Sequence, residues 1–341
     1  MKWPACFLLP LISLFFSPTG RADELERQID TAVGSALSWL AESQQPSGAW
    51  TLANSSESTA TTSLGILAFL AGGHMPDEGP WGARISRAIE WVISQQREDG
   101  LLGHASVQGQ MYGHGISTLM LAEVSGMVDA KESENVRMTL ERAIRLIIDA
   151  QNQPRSAAAD GGWRYKTTSR DSDLSVTAWQ LLALRAARDI GCDVPVENID
   201  RAIAYIRRLN VPEGGFGYVS SRASTVTRAG TGIVALEVCG KHRTKETMAA
   251  AAFLLNHPLT EKESYFYYGA YYCTVGMYKV GGDEWTAIRP ALYSVILDAQ
   301  HPAGFWIPLG GSEADAGRVY ATSMSVLALS IEYAWLPIYQ R

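Results

Sequence analysis

Two aspartates, Asp171 and Asp173, stand one residue apart in a polar loop just ahead of an apolar helix expected to begin near Thr177. A carboxyl kept out of water stays protonated to higher pH and can deliver a proton. The same carboxyl at a helix start can accept free backbone N–H groups instead, a cap worth about 1 kcal/mol. Both roles are open for both residues. A second group is the tyrosine run Tyr265, Tyr267, Tyr268, Tyr271 and Tyr272. Tyr267 with Tyr271 and Tyr268 with Tyr272 are four apart, on adjacent faces of a helix. One pair is expected to face outer helices and the other to line an interior. Phenol rings can stabilise a carbocation, stack on a sugar or fill a core. Gly-x-Ser-x-Gly, a Walker-type loop and HExxH are all missing from the sequence.

These residues need a frame, and the chain repeats one. Ile29, Ala32, Val33, Ala36, Leu37 and Leu40 mark one face of a helix at offsets of three and four. A glutamine and a glycine-containing turn end it, and a second, more apolar helix follows. The same order recurs through Gln96, Gln151, Gly214-Gly215-Phe216 and Gln300, with a degraded fifth copy at Asn256-His257-Pro258. Gln45, Gln96, Gln151 and Gln300 keep the period. Six helical hairpins cannot each bury an apolar face alone, so they must stack. The second helices are apolar all round, as in Leu181-Leu182-Ala183-Leu184, and must be buried on every side. The expectation is an all-α fold, an α/α toroid with second helices inside and first helices outside. Trp50, Trp163, Phe216 and Trp306 are read as structural.

Gln followed by Gly-x-Trp, as in Gln44 to Trp50, Gln151 to Trp163 and Gln300 to Trp306, resembles the repeat of squalene and hopene cyclases. The β-subunits of protein prenyltransferases have a related repeat and the same six-hairpin toroid. The resemblance implies that the inner-helix N-termini converge on one mouth of a central cavity. The residues it brings there include Tyr112, His114, Asp171, Asp173, Arg228, Tyr267, Tyr268, Tyr271, Arg318 and Tyr320. Against the cyclase acid motif Asp-x-Asp-Asp-Thr-Ala, the stretch Asp171-Ser172-Asp173-Leu174-Ser175-Val176-Thr177-Ala178 is incomplete in either register. The prenyltransferase zinc ligands Asp, Cys and His find no matching set. Cys239-Gly240 begins like the thioester of complement-like toroids but does not continue as one. No metal and no cofactor is expected.

Residues 1–22 read as an export signal, with Lys2, an apolar run over 7–16 and small residues before Asp23, leaving 23–341 as one toroid domain. The remaining chain carries 27 basic and 35 acidic residues, a balance of −8 that argues against nucleic acid and anionic lipid. No later stretch is long and apolar enough to cross a bilayer. Cys192 and Cys239 follow second helices in consecutive hairpins and could pair as a disulfide. The expected function is an exported, periplasmic or secreted protein that binds an apolar ligand such as an isoprenoid, or a protein partner, at the cavity mouth. Two enzymatic alternatives stand beside it. One is a squalene-like cyclase using Asp171 or Asp173 as acid, and the other a polysaccharide-active toroid.

Overall fold

The computed structural model describes residues 18–103 and 109–340. The apolar run at 7–16 lies outside them. Among the described residues there are twelve α-helices. The outer set is α1 (Pro18–Ser43), α3 (Gly82–Ser94), α5 (Ala130–Gln151), α7 (Val196–Arg208), α9 (Lys245–Asn256) and α11 (Gly282–Asp298). The inner set is α2 (Thr59–Ala71), α4 (Gln110–Val124), α6 (Leu174–Asp189), α8 (Val226–Val238), α10 (Phe266–Val280) and α12 (Gly311–Leu329). Each inner helix packs on the next, and α12 returns to α2, so the ring closes. No described helix is long and apolar enough to cross a membrane.

The division of labour is visible in the burial pattern. In α6 every residue from Leu174 to Leu184 is buried, whereas α7 buries Ile199, Ala202, Ile203 and Ile206 and turns charges to solvent. Caps set the starts. Ser58, Asp129, Asp173, Thr225 and Thr244 each accept the N–H of the residue three positions on. Asp173 thereby starts α6 three residues before Thr177.

The repeat residues stitch each hairpin to its successor. The side-chain amide of Gln44 donates to Gly48 O and to Arg84 O on α3; Gln96 donates to Gly100 O and Thr139 O; Gln151 donates to Gly161 O and Asn198 O. Gln300 closes the circle by donating to Gly304 O and to Ala32 O on α1. In the first unit the stitching residue is thus Gln44 rather than Gln45. Glutamine stands four residues before the glycine there, as in the second and sixth units. The glycine is required by two constraints at once at Gly161: its φ is +86°, and an added Cβ would lie 2.2 Å from Arg201 O on α7. The tryptophans are structural as expected. The indole N–H groups of Trp50, Trp163 and Trp306 donate to Leu40 O, Ile147 O and Ile296 O near the ends of their own outer helices.

The last inner element runs from Gly311 to Leu329 as two helical stretches joined across the non-helical Gly317 (φ +89°). The remaining chain then crosses the end of the ring where the inner helices finish. Ile338 N–H donates to the buried Glu123 at the end of α4, and the Tyr339 hydroxyl bonds that of Tyr271 on α10. Cys192 and Cys239 are free thiols, so the suggested disulfide is absent.

Candidate functional site

The inner-helix starts meet at the opposite end, and three of them are satisfied by residues of the next unit. Met111 N–H of α4 donates to Tyr165 O, and Leu174 N–H of α6 donates to Tyr218 O. At α10 the role passes to Glu313, whose carboxylate accepts Tyr268 N–H at 2.9 Å and Tyr267 N–H at 3.4 Å. Backbone pairing therefore delivers Tyr165, Tyr218 and Glu313 to the mouth. None of the three was picked out by sequence reasoning. A signal existed for two of them. Tyr165 and Tyr218 each lie two residues after the turn aromatic, Trp163 and Phe216, in consecutive repeats.

Asp173 is fully buried at the start of α6. Its Oδ1 accepts Val176 N–H at 2.9 Å, which makes it the helix cap; its Oδ2 has no hydrogen-bond partner. The Arg164 Nε lies 3.5 Å from that oxygen. Burial dominates and pushes the Asp173 carboxyl up to about 7, against the opposing pull of Val176 N–H and the Arg164 charge. Asp171 is different. Its side chain is 67% exposed and pairs with Arg164 Nη1 at 3.5 Å. It is a rim residue, with none of the burial that acid catalysis would need.

Arg164 is held flat by aromatic rings, its guanidinium carbon 4.6 Å from the Tyr165 centroid and 5.4 Å from that of Tyr218. The two tyrosine hydroxyls bond each other at 2.6 Å, and Tyr112 lies 6.1 Å from Tyr165, centroid to centroid. Across the mouth, the Tyr268 hydroxyl lies 3.0 Å from that of Thr231, whose own proton goes to Thr227 O at 2.8 Å. Tyr320 reaches Glu313 Oε1 at 3.4 Å. Tyr112, Tyr268 and Tyr320 keep accessible surface, yet burial drives all three hydroxyls far above the usual phenol range. These half-exposed side chains border the space between the inner-helix starts, the recess of the mouth.

Below the recess the ring is filled. Trp179 of α6 stacks on Tyr271 of α10 at 5.7 Å and 3°, and meets Tyr272 edge-on at 5.6 Å. Tyr339 joins this cluster from the other end. Tyr271 is thus a core residue. Tyr267 is buried too, its hydroxyl donating to Ile307 O in the next loop. The expectation that one (i, i+4) pair faces outer helices does not hold. Tyr271 and Tyr272 both turn inward, because a bulky ring from each of two adjacent faces is needed to meet Trp179.

His114 is removed from the mouth. It is fully buried, its Nδ1 accepting Leu102 N–H at 3.1 Å and its Nε2 bonding Ala143 O at 3.1 Å. It occupies the place of Thr62, Thr177 and Thr322, whose hydroxyls accept the N–H of Trp50, Trp163 and Trp306. Burial pushes its imidazole down to about 4, so it is neutral. Arg228 stays at the α8 cap, donating to Thr225 Oγ1 and Ala223 O, and Arg318 lies exposed over the Phe305 ring. Cys273 is buried with its thiol against Val226 O. Among the described residues, no three His, Cys, Asp or Glu side chains gather as a metal site.

The sequence matches the family model described as the prenyltransferase alpha-alpha toroid domain over residues 12–108 and 81–264. The chain belongs to that family. No curated protein matches it. Among solved structures, this toroid is similar to the type II terpene cyclase MstE from Scytonema in complex with geranylgeranyl dihydroxybenzoate, with TM-score 0.59, 16% identity and coverage of 92% of this chain and 100% of that one. It is also similar to an inactive variant of the alpha-1,6-mannanase GH76A of Salegentibacter sp. HEL1_6 in complex with alpha-1,6-mannotriose, with TM-score 0.64, 10% identity and coverage of 92% and 99%. A possible GH105 family member from Salmonella enterica gives TM-score 0.56, 14% identity and coverage of 98% and 99%. At these identities the likeness is one of fold alone.

Proposed function

We propose that this toroid binds a small molecule in the mouth recess, with the buried Asp173 carboxyl lying behind Arg164. The observation that carries this reading is the set of half-exposed tyrosines at the inner-helix starts, Tyr112, Tyr268 and Tyr320, beside Arg164 and the buried, unpartnered Asp173 Oδ2. Hydroxyls on aromatic rings suit a ligand with hydrogen-bonding groups on an apolar body. The filled centre at Trp179, Tyr271 and Tyr272 argues against a long polyprenyl chain lying within the ring. It therefore weighs against the squalene-like cyclase alternative, although the burial of Asp173 is what an acid of that kind would need. Export, resting on residues 1–22, is part of the proposal.

Gly113→Leu tests it without breaking the fold. A Cβ at Gly113 would meet nothing nearer than Thr59 Oγ1 at 3.4 Å, and leucine is the better helix former. Its side chain would extend toward Thr59 and Ala60 at the start of α2 and narrow the mouth from that side. Native mass spectrometry of the protein after incubation with aqueous and lipid extracts is expected to show a small-molecule adduct on the wild type and none on Gly113→Leu. An adduct of equal intensity on both, or none on either, would sink the proposal.

A further inference from the structure

We infer that the ligand of the mouth recess is a saccharide, presenting vicinal hydroxyls to Arg164 and Asp171 and a ring face to the tyrosine row. This inference rests on the recess being a binding site, and it adds the class of molecule bound there.

The guanidinium of Arg164 lies against the rings of Tyr165 and Tyr218. Its nearest carboxylate oxygens, Asp171 Oδ2 and Asp173 Oδ2, both stand 3.5 Å away, beyond hydrogen-bonding distance. A planar cation at that distance from both carboxylates keeps N–H donors for other acceptors. The Asp173 side is sealed, and the Asp171 side is open, with 67% of that side chain exposed. An oxygen lying about 2.9 Å from both Arg164 Nη1 and Asp171 Oδ2 would close a triangle on the 3.5 Å edge, within ordinary hydrogen-bond lengths. That oxygen must accept from the guanidinium and donate to the carboxylate. A hydroxyl does both, whereas a carboxylate or phosphate cannot donate and would be repelled by Asp171. A neighbouring hydroxyl reaches a second guanidinium N–H in the bidentate manner that arginine favours.

The aromatic half of the surface agrees. Tyr218, Tyr165 and Tyr112 are each half-buried and form a row, joined by the 2.6 Å hydroxyl contact and the 6.1 Å ring spacing. The apolar C–H face of a pyranose packs on such rings while its edge hydroxyls turn to polar neighbours. An isoprenoid would leave Arg164 and Asp171 unused.

The test is saturation-transfer NMR on the full chain with methyl glycosides of a hexose, a 6-deoxyhexose, a pentose and a hexosamine. Their 2,3-di-O-methyl derivatives and farnesol serve as comparison probes. Saturation transfer is expected to at least one free glycoside. It should fall at least tenfold on 2,3-di-O-methylation and at least tenfold in Arg164→Met, which keeps the stem and removes the donors. Gly113→Leu should abolish it. Equal binding of methylated and free glycosides, or unchanged binding in Arg164→Met, would overturn the saccharide assignment. Farnesol binding that Gly113→Leu removes, with no glycoside bound, would overturn the assignment while leaving the recess as a binding site. Failure of every probe would count against both.

Discussion

Asp173→Asn is expected to be more stable than the wild-type protein at pH 8 and equally stable below about pH 4. Burial raises the folded-state carboxyl from 3.8 to about 7. An acid shifted upward holds its proton more tightly when folded. Its contribution is therefore fully present below 3.8 and lost as pH rises through 7. The gap from 3.8 to about 7 is an upper bound of about 4 kcal/mol at pH 8. Asparagine keeps a carbonyl oxygen for Val176 N–H, so the α6 cap survives while the buried charge does not form. His114 works in the opposite direction. Its imidazole is pushed from 6.5 to about 4, so its contribution is full above 6.5 and is lost as pH falls through 4. The two groups oppose each other on the acid side, and removing Asp173 should expose the His114 slope. Urea unfolding across pH 4 to 8 would decide; a constant difference between variant and wild type would contradict the argument. A side chain that works against the fold at neutral pH, beside an arginine, is what a site-serving group looks like.

Gln151→Leu should destabilise by about 3–5 kcal/mol, because it leaves buried backbone carbonyls without donors. Gln151 is fully buried; its amide donates to Gly161 O at 2.7 Å and Asn198 O at 2.9 Å, and its Oε1 accepts Asn198 Nδ2–H at 2.6 Å. Three bonds that join α5, the turn and α7 disappear together. Gln45→Leu is the matched control. Gln45 is half-buried, and its amide makes one 3.3 Å contact to Ser43 O within its own turn. A change of about 0.5 kcal/mol or less is expected there. Denaturant midpoints measure both, and equal losses would remove the glutamine stitch as an explanation of ring closure.

The ring was legible because its signals are local and repeated. Helical periodicity, all-round apolar second helices and glutamine before glycine all recur, and six copies correct one another. The copies also contained information that position alone obscured. His114 sits beside two glycines at a helix start and so looks like a mouth residue. Its distance of twelve residues from Leu102 equals that of Thr62 from Trp50, which marks it as a turn residue. The mouth was legible in part. Asp173, Tyr112, Tyr268 and Tyr320 fall there, while Tyr267 and Tyr271 on the same helix are consumed by packing. Arg164 and Glu313 were missed because loop pairing between units brings them in. Glu313 caps a helix that starts 47 residues earlier in sequence, a distance no local pattern spans.

The binding claim is tested most directly by labelling tyrosine rings with carbon-13 and adding the extract fraction that gives the adduct. Resonances of Tyr112, Tyr165, Tyr218, Tyr268 and Tyr320 are expected to shift together. Tyr293, buried on the outer helix α11, should stay in place. Shifts confined to Tyr293, or mouth tyrosines unmoved while the adduct forms, would contradict the placement of the ligand in the recess.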